Sequence, residues 1–359
     1  LAFTRRALLT LPTGLLATKT AAAEKKQSDP SSDQKSTTLV NLIGTLHSPF
    51  DAWWSKGGAL CAAAFKLPYT VLQHEGRFSD GLDQLTSIIA KTNGNMVLNL
   101  DAPSSPDDLK KLDEICSTNK IYFVTQLNIP PPNLRPWNVS PYYVAHIDFD
   151  ERLAALQVSR RLINAMGGEG GIIALAGKAD TPSTQKRVAA LRAALAAAPN
   201  CYLLAEPVDA EWEASAAYDI TRSLIAAHDR KKIRGLWAAN DDMALGAIEA
   251  LHLYNLAIPV TGMEGAKDAI SAIQTARMTA TVAWDSFWQG GIGLSLAFCA
   301  KTGLIVPAEE PHSHRAFYAP FRLITADNAL AFVEYRDSEH PLMDWKDFWG
   351  PSTGAIGEQ

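Results

Sequence analysis

Apolar runs of strand length alternate with amphipathic stretches of helical period along most of the chain. Positions 38–46, 69–74, 96–99 and 121–125 are dominated by apolar side chains and read as strands, whereas 53–65, 81–90 and 106–117 repeat apolar residues at helical spacing. The order is βαβαβαβ, and the crossover rule turns such an order into a parallel sheet with helices on both faces. The segment 128–141 holds five prolines and reads as a loop. After a strand at 143–147 the alternation restarts, with helices at 151–166, 183–197, 214–228 and 244–253 and strands at 171–176, 202–207, 235–238 and 258–262. A helix at 266–275, a strand at 279–283, a helix at 287–302 and a closing strand at 317–323 complete it. The pattern predicts an α/β protein of two parallel-sheet lobes.

The beginning of the chain follows another rule. Arg5 and Arg6 precede a mostly apolar run from Ala7 to Ala17, and Ala21, Ala22 and Ala23 follow it, so 1–23 reads as an export signal, general secretory or twin-arginine. The polar stretch 24–37 reads as a disordered leader. Beyond the leader, no apolar run approaches the roughly 18 to 20 residues that span a bilayer. A net charge of -5 and a pI near 5.9 speak against a nucleic-acid partner. Cys61, Cys116, Cys201 and Cys299 match no metal-ligand spacing; buried free thiols are expected, with a Cys61–Cys116 bridge as the alternative.

The junction Leu236-Trp237-Ala238-Ala239-Asn240-Asp241-Asp242-Met243-Ala244-Leu245-Gly246 runs from an apolar strand through carboxylates into a helix. Ligands of open α/β sheets sit at such carboxyl ends. Three further motifs keep order with it: Ala145-His146-Ile147-Asp148-Phe149-Asp150, Val260-Thr261-Gly262-Met263-Glu264-Gly265 and Met278-Thr279-Ala280-Thr281-Val282-Ala283. Over residues 38–326 the chain resembles the type I periplasmic binding proteins, in particular the ribose-binding-like group of bacterial ABC sugar importers.

That resemblance implies two Rossmann-like lobes joined by a three-crossing hinge, near Ile147, Trp284 and Pro320. Lobe 1 is expected from 38–146 plus 285–318, and lobe 2 from 147–284 plus 319–326. The extension 327–359, with Trp345, Phe348 and Trp349, is expected to pack on a lobe. The implied protein is a periplasmic monomer that captures a sugar or polyol and presents its closed form to ABC permease membrane subunits, or alternatively to a histidine kinase or chemoreceptor. Neither cofactor nor metal is implied. Regulators with the same body carry a helix-turn-helix, where this chain has an export signal.

Site residues carry over by position. Ser48-Pro49-Phe50 matches the family's Asn-Pro-Phe, placing Phe50 against a sugar face, with Trp53 or Trp54 as a second aromatic surface and Ser48 beside them. Asp101 follows an apolar run where the family has a hydroxyl acceptor, and Arg187 matches a site arginine whose fork of donors suits adjacent oxygens. Trp212 matches a stacking aromatic, and the Asn240 amide offers donor and acceptor together, leaving Asp241 and Asp242 to cap the next helix. Three positions depart from the ribose pattern: Glu264 replaces aspartate, Trp284 replaces glutamine, and Asp51 replaces a second aromatic. Asp285 is expected to restore some polarity. A different pentose, a hexose, a deoxysugar or a polyol fits these changes.

Enzyme signatures are weak. His312 and His314 with Glu309 and Glu310 read as a solvated loop, and the glycine-rich 167–171 lies between a helix and a strand and lacks the lysine of a phosphate loop. Neither a Gly-x-Ser-x-Gly nor a His-Glu-x-x-His motif occurs, so a non-enzymatic protein is expected.

Overall fold

The computed structural model describes residues 36–338 and 343–357, so the export signal and most of the leader lie outside the described residues. A seven-stranded sheet has the order β14-β12-β5-β4-β3-β1-β2 and forms lobe 1, with strands β1 (Thr38–Ile43), β2 (Tyr69–Gln73), β3 (Met96–Asp101), β4 (Tyr122–Gln126), β5 (Tyr143–Phe149), β12 (Ala316–Ala319) and β14 (Gly354–Ala355). All pair in parallel except β14, which runs antiparallel to β12. Helices α1 (Pro49–Phe65) and α9 (Ser286–Lys301) cover one face, and α2 (Phe78–Thr92) and α3 (Pro106–Thr118) cover the other.

Lobe 2 is a five-stranded parallel sheet of β6 (Gly170–Ala176), β7 (Cys201–Leu203), β8 (Val208–Asp209), β9 (Ile233–Ala238) and β10 (Val260–Thr261). Around its single core lie α4 (Glu151–Ala165), α5 (Pro182–Ala196), α6 (Ala214–Ala227), α7 (Asp241–Leu253) and α8 (Lys267–Gln274). Strands β11 (Thr281–Trp284) and β13 (Phe321–Ile324) pair antiparallel beside it, and a short helix α10 (His312–Arg315) precedes β12.

The chain passes between the sheets at three places. β5 stays paired to β12 as far as Phe149, so the first passage lies beyond Ile147. The second follows Trp284, and the third is Pro320, which splits the expected closing strand into β12 and β13 because proline has no N–H for a ladder. The expected strand at 202–207 is likewise two pieces: Leu204 makes its last bond to the Ile172 carbonyl, and pairing to β6 resumes only at Val208, after Pro207.

Local chemistry explains the helix starts at the strand ends. Ser48, Ser105 and Thr181 each cap a helix whose first residue is proline, and Asp150, Asn240 and Asp285 cap α4, α7 and α9. The Ser48 cap starts α1 four residues before the expected position. Lobe 1 also buries a polar seam: Asn99 donates to Asn41 at 2.9 Å, Gln126 to Asn99 at 2.6 Å, and Gln126 also to the Gln289 carbonyl at 2.7 Å. The amides reach α9 because its backbone comes close. A Cβ on Gly57 would lie 1.9 Å from the Phe287 carbonyl oxygen, and one on Gly290 the same distance from that of Trp54.

All four cysteines are free and buried. The alternative Cys61–Cys116 bridge is excluded by packing, since Cys61 lies in the α1–α9 layer of lobe 1 and Cys116 in the layer on the other face of the sheet. The C-terminal extension spans both lobes instead of packing on one. Its helix α11 (Ala329–Asp337) sets Ala329, Phe332 and Val333 against lobe 2, whereas Trp345 and Phe348 are buried in lobe 1 and β14 lengthens the lobe 1 sheet. His312 stacks on Trp137 and His314 on Trp349, each at 3.9 Å, so these histidines serve packing. Among the described residues no cluster of metal ligands occurs, and no helix is long and apolar enough to cross a membrane.

Candidate functional site

On lobe 2, four predicted residues converge at the carboxyl ends of the strands. Arg187 is 5% exposed and fully engaged. Its Nε and Nη2 donate to Glu151 Oε1 at 3.2 and 2.8 Å, and its Nη1 donates to the Ala239 carbonyl at 2.6 Å and to Glu264 Oε1 at 3.1 Å. The guanidinium also lies 5.3 Å from the Trp212 ring centre. Trp212 sits in the left-handed region at φ 66°, after Glu211 at φ 56°, and Asp209 accepts the Glu211 and Ala179 N–H groups to hold that turn. The indole covers Gly177, where a Cβ would come within 2.0 Å of the ring. Glu264, at φ 112°, keeps its carboxylate 43% exposed beside Arg187.

Asn240 differs from expectation in one respect. Its Oδ1 accepts the Met243 N–H at 2.9 Å, making Asn240 itself the cap of α7, and its Nδ2 donates to the Trp212 carbonyl at 3.3 Å. One amide N–H remains for another acceptor. Asp241, expected as a cap, is buried and accepts from Thr281 Oγ1 at 2.7 Å and from the Ala266 N–H at 2.8 Å, tying α7 to β11 and α8. Burial pushes its carboxyl well above the usual range. The reason is register: β9 ends at Ala238, so the residue between strand and helix is Asn240.

On lobe 1, Asp101 ends β3 and accepts from His74 Nε2 at 2.9 Å. The Gly76 N–H donates to His74 Nδ1 at 3.1 Å, which assigns the ring proton to Nε2 and directs it at the carboxylate. The other oxygen, Asp101 Oδ1, is enclosed without a hydrogen-bond partner among the described residues. His74 was not singled out from the sequence, since it closes an ordinary apolar run on a strand two places away in the sheet.

The remaining predicted residues divide. Phe50 is half-buried and meets Phe149 edge-on at 6.3 Å, and Phe149 stacks on Trp284 at 4.6 Å. Ser48 and Asp51 shape the turn into α1: Ser48 Oγ accepts the Asp51 N–H at 3.4 Å, and Asp51 Oδ2 accepts the Thr45 N–H at 3.0 Å. Partial burial raises the Asp51 carboxyl. Trp54 is wholly buried in the core and has no face to offer a solute. Trp53 packs on Phe287 at 5.0 Å and on Tyr335 of the extension at 6.3 Å, which turns it to the extension side of the hinge. Asp285 does not restore polarity to the site: it is 6% exposed, accepts from the Trp288 N–H at 3.0 Å and from Tyr335 Oη at 3.4 Å, and lies 3.8 Å from Arg322.

Between the lobes lies a cavity of about 480 Å³, with Ser104, Ser105 and Asn128 on one side and Glu151, Ser183 and Lys186 on the other. Asp148 also lines it, and burial raises this carboxyl to about 7. A second hollow of about 400 Å³ is lined by lobe 2 residues alone, among them Thr184, Gln185 and Asp209. Only the first can change with the relative position of the lobes.

The profile of the periplasmic binding protein domain family matches residues 103–303. The crystal structure of a twin-arginine translocation pathway signal protein from Burkholderia phytofirmans is similar, with a TM-score of 0.73 and 36% identity over 90% of this chain and 99% of that one. A ribose import binding protein of Haemophilus influenzae is 23% identical over 76% of this chain and 89% of its own length. A D-allose-binding periplasmic protein of Escherichia coli is 26% identical over 62% of this chain and 80% of its own.

Proposed function

The chain belongs to the periplasmic binding protein family with the type I, two-lobed fold, and from that premise we propose that it captures one small polyhydroxylated solute, a sugar or polyol, in the periplasm. The observation that carries this reading is the cluster at Trp212, where the Arg187 guanidinium lies over the indole, Glu264 pairs with Arg187 and the Asn240 amide donates to the Trp212 carbonyl. A sugar ring has C–H faces that pack on an indole and edge hydroxyls that need acceptors and donors. The similar proteins named for ribose import and D-allose binding support the same class of solute. Asp101, oriented by His74, supplies an acceptor from the opposite lobe.

The mechanism is closure. Lobe 1 groups and lobe 2 groups each hold part of the solute, so a bound solute favours the arrangement in which both sets reach it. The family is one of binding proteins: no bond is made or broken, and the closed form is what ABC permease subunits recognise.

The test is the thermal stability of the purified protein against pentoses, hexoses, deoxysugars and polyols, with calorimetry on each compound that shifts it. A solute at a hundred times its Kd stabilises by about 2.7 kcal/mol. Such a shift for one polyhydroxylated compound, lost in Trp212→Ala, is the expected result. A well-folded, ligand-free sample that no compound shifts sinks the reading.

A further inference from the structure

Each of the three passages between the lobes carries an aromatic ring at its junction: Phe149 on the first, Trp284 on the second and Phe321 on the third. Trp284 is central. It stacks on Phe149 at 4.6 Å and 26°, meets Phe321 edge-on at 6.1 Å, and packs against the cores of both lobes while remaining only half-buried. Phe50, also half-buried, extends the row from α1 at the end of β1, the side of the sheet where Asp101 lies. Trp53, Phe287 and Tyr335 form a separate aromatic group with the extension.

The polar side chains beside this row are committed elsewhere. Asp150 accepts from the Leu153 N–H at 2.9 Å, Asp285 caps α9 and meets Tyr335, Thr281 donates to Asp241, and Asp51 accepts from Thr45. The indole N–H of Trp284 is the only polar atom the four rings possess, and it sits on a ring edge. A hydroxyl pressed against these faces gives up water and gains no partner, whereas a methyl or methylene group loses nothing and gains dispersion contact. The flanks behave in the opposite way, with Asp101 and Glu264 as acceptors and the remaining amide N–H of Asn240 as a donor.

We propose that the solute turns a deoxygenated edge, with a methyl or methylene group where a parent sugar has a hydroxyl, onto the half-buried rings of Trp284 and Phe50, with Phe149 buried behind them, so that the site takes a deoxysugar in preference to its hydroxylated parent. The inference rests on the sugar-binding reading and narrows it.

Calorimetry on matched pairs tests it: L-fucose with L-galactose, L-rhamnose with L-mannose, and 2-deoxy-D-ribose with D-ribose. The deoxy member of at least one pair is expected to bind about tenfold tighter or more. Trp284→Gln removes that preference, and Trp284→Phe keeps it. Phe50→Gln, on a helix outside the hinge strands, makes the same test should Trp284→Gln lose its fold. Parents that bind as tightly as their deoxy partners in every pair overturn the inference, as does a preference that survives the glutamine variants. A hydroxylated solute that binds while no deoxy member does overturns this inference and leaves the sugar reading standing. Failure of every sugar and polyol overturns the sugar reading, and this inference with it.

Discussion

His74 and Asp101 show how much one proton assignment decides. The carboxylate raises the imidazole pKa, yet the Gly76 N–H occupies Nδ1, where a second proton would have to go. The pair therefore works with the imidazole as donor and Asp101 as acceptor. His74→Phe keeps the ring volume and removes the donor. Calorimetry on this variant with the identified solute is expected to show binding weaker by about fivefold to tenfold, the worth of one hydrogen bond, with a smaller fall in melting temperature. Equal affinity in the variant and the parent protein would leave Asp101 without a positioning partner.

Asp148 is the residue whose titration should be visible. Its pKa is raised from 3.8 to about 7 by burial, so the folded state holds a proton that the unfolded state releases between those values. Stability from this group is therefore greatest below pH 4, falls as pH rises towards 7, and is level above that. Asp148→Asn removes the dependence: it is expected to melt higher than the parent protein at pH 8, with the gap closing towards pH 4. A constant gap across that range would place the cost elsewhere. At this scale the apolar pattern alone marks Asp101 and Asn240, each of which ends an apolar run, whereas Trp212 and Glu264 were read only through the family resemblance. The sequence was uninformative where a partner elsewhere decides, as with His74, and with Trp53 and Trp54, whose faces are set by α9 and the extension.

Among the elements, the helix starts at Pro106 and Pro182 were read to within a residue, whereas α1 begins at Pro49 and α2 at Phe78, several residues before the apolar period announces them. Ser48-Pro49, Ser105-Pro106 and Thr181-Pro182 state a cap and a first helical residue in two letters. The strands of lobe 2 were less legible, because β7 and β8 are short pieces whose pairing depends on β6. The turn that presents Trp212 illustrates the limit. Two left-handed residues, Glu211 and Trp212, bring the indole over Gly177, and no local pattern announces that contact. Gly177→Ala puts a Cβ 2.0 Å from the ring, so the indole must move. The expected outcome is a loss of solute affinity of tenfold or more with a destabilisation of roughly 1–3 kcal/mol, read by calorimetry and denaturant melts. Unchanged affinity would remove Trp212 from the site.

At the scale of the molecule, the division into two lobe sheets followed from the restart of the pattern after the strand at 143–147, and the structure has it. The extension was not legible in the same way, because Phe332, Trp345 and Phe348 are apolar residues that any surface groove would accept. Their placement adds something the three passages do not. With α11 seated on lobe 2 and Trp345 on lobe 1, a fourth length of chain joins the lobes, and Lys56 of lobe 1 donates to the Ser338 carbonyl at 2.5 Å just before it. The extension is thus a strap across the hinge: α11 holds lobe 2 while Lys56 and Trp345 fasten the chain beyond it to lobe 1, so loss of either anchor frees the lobes of one tie between them.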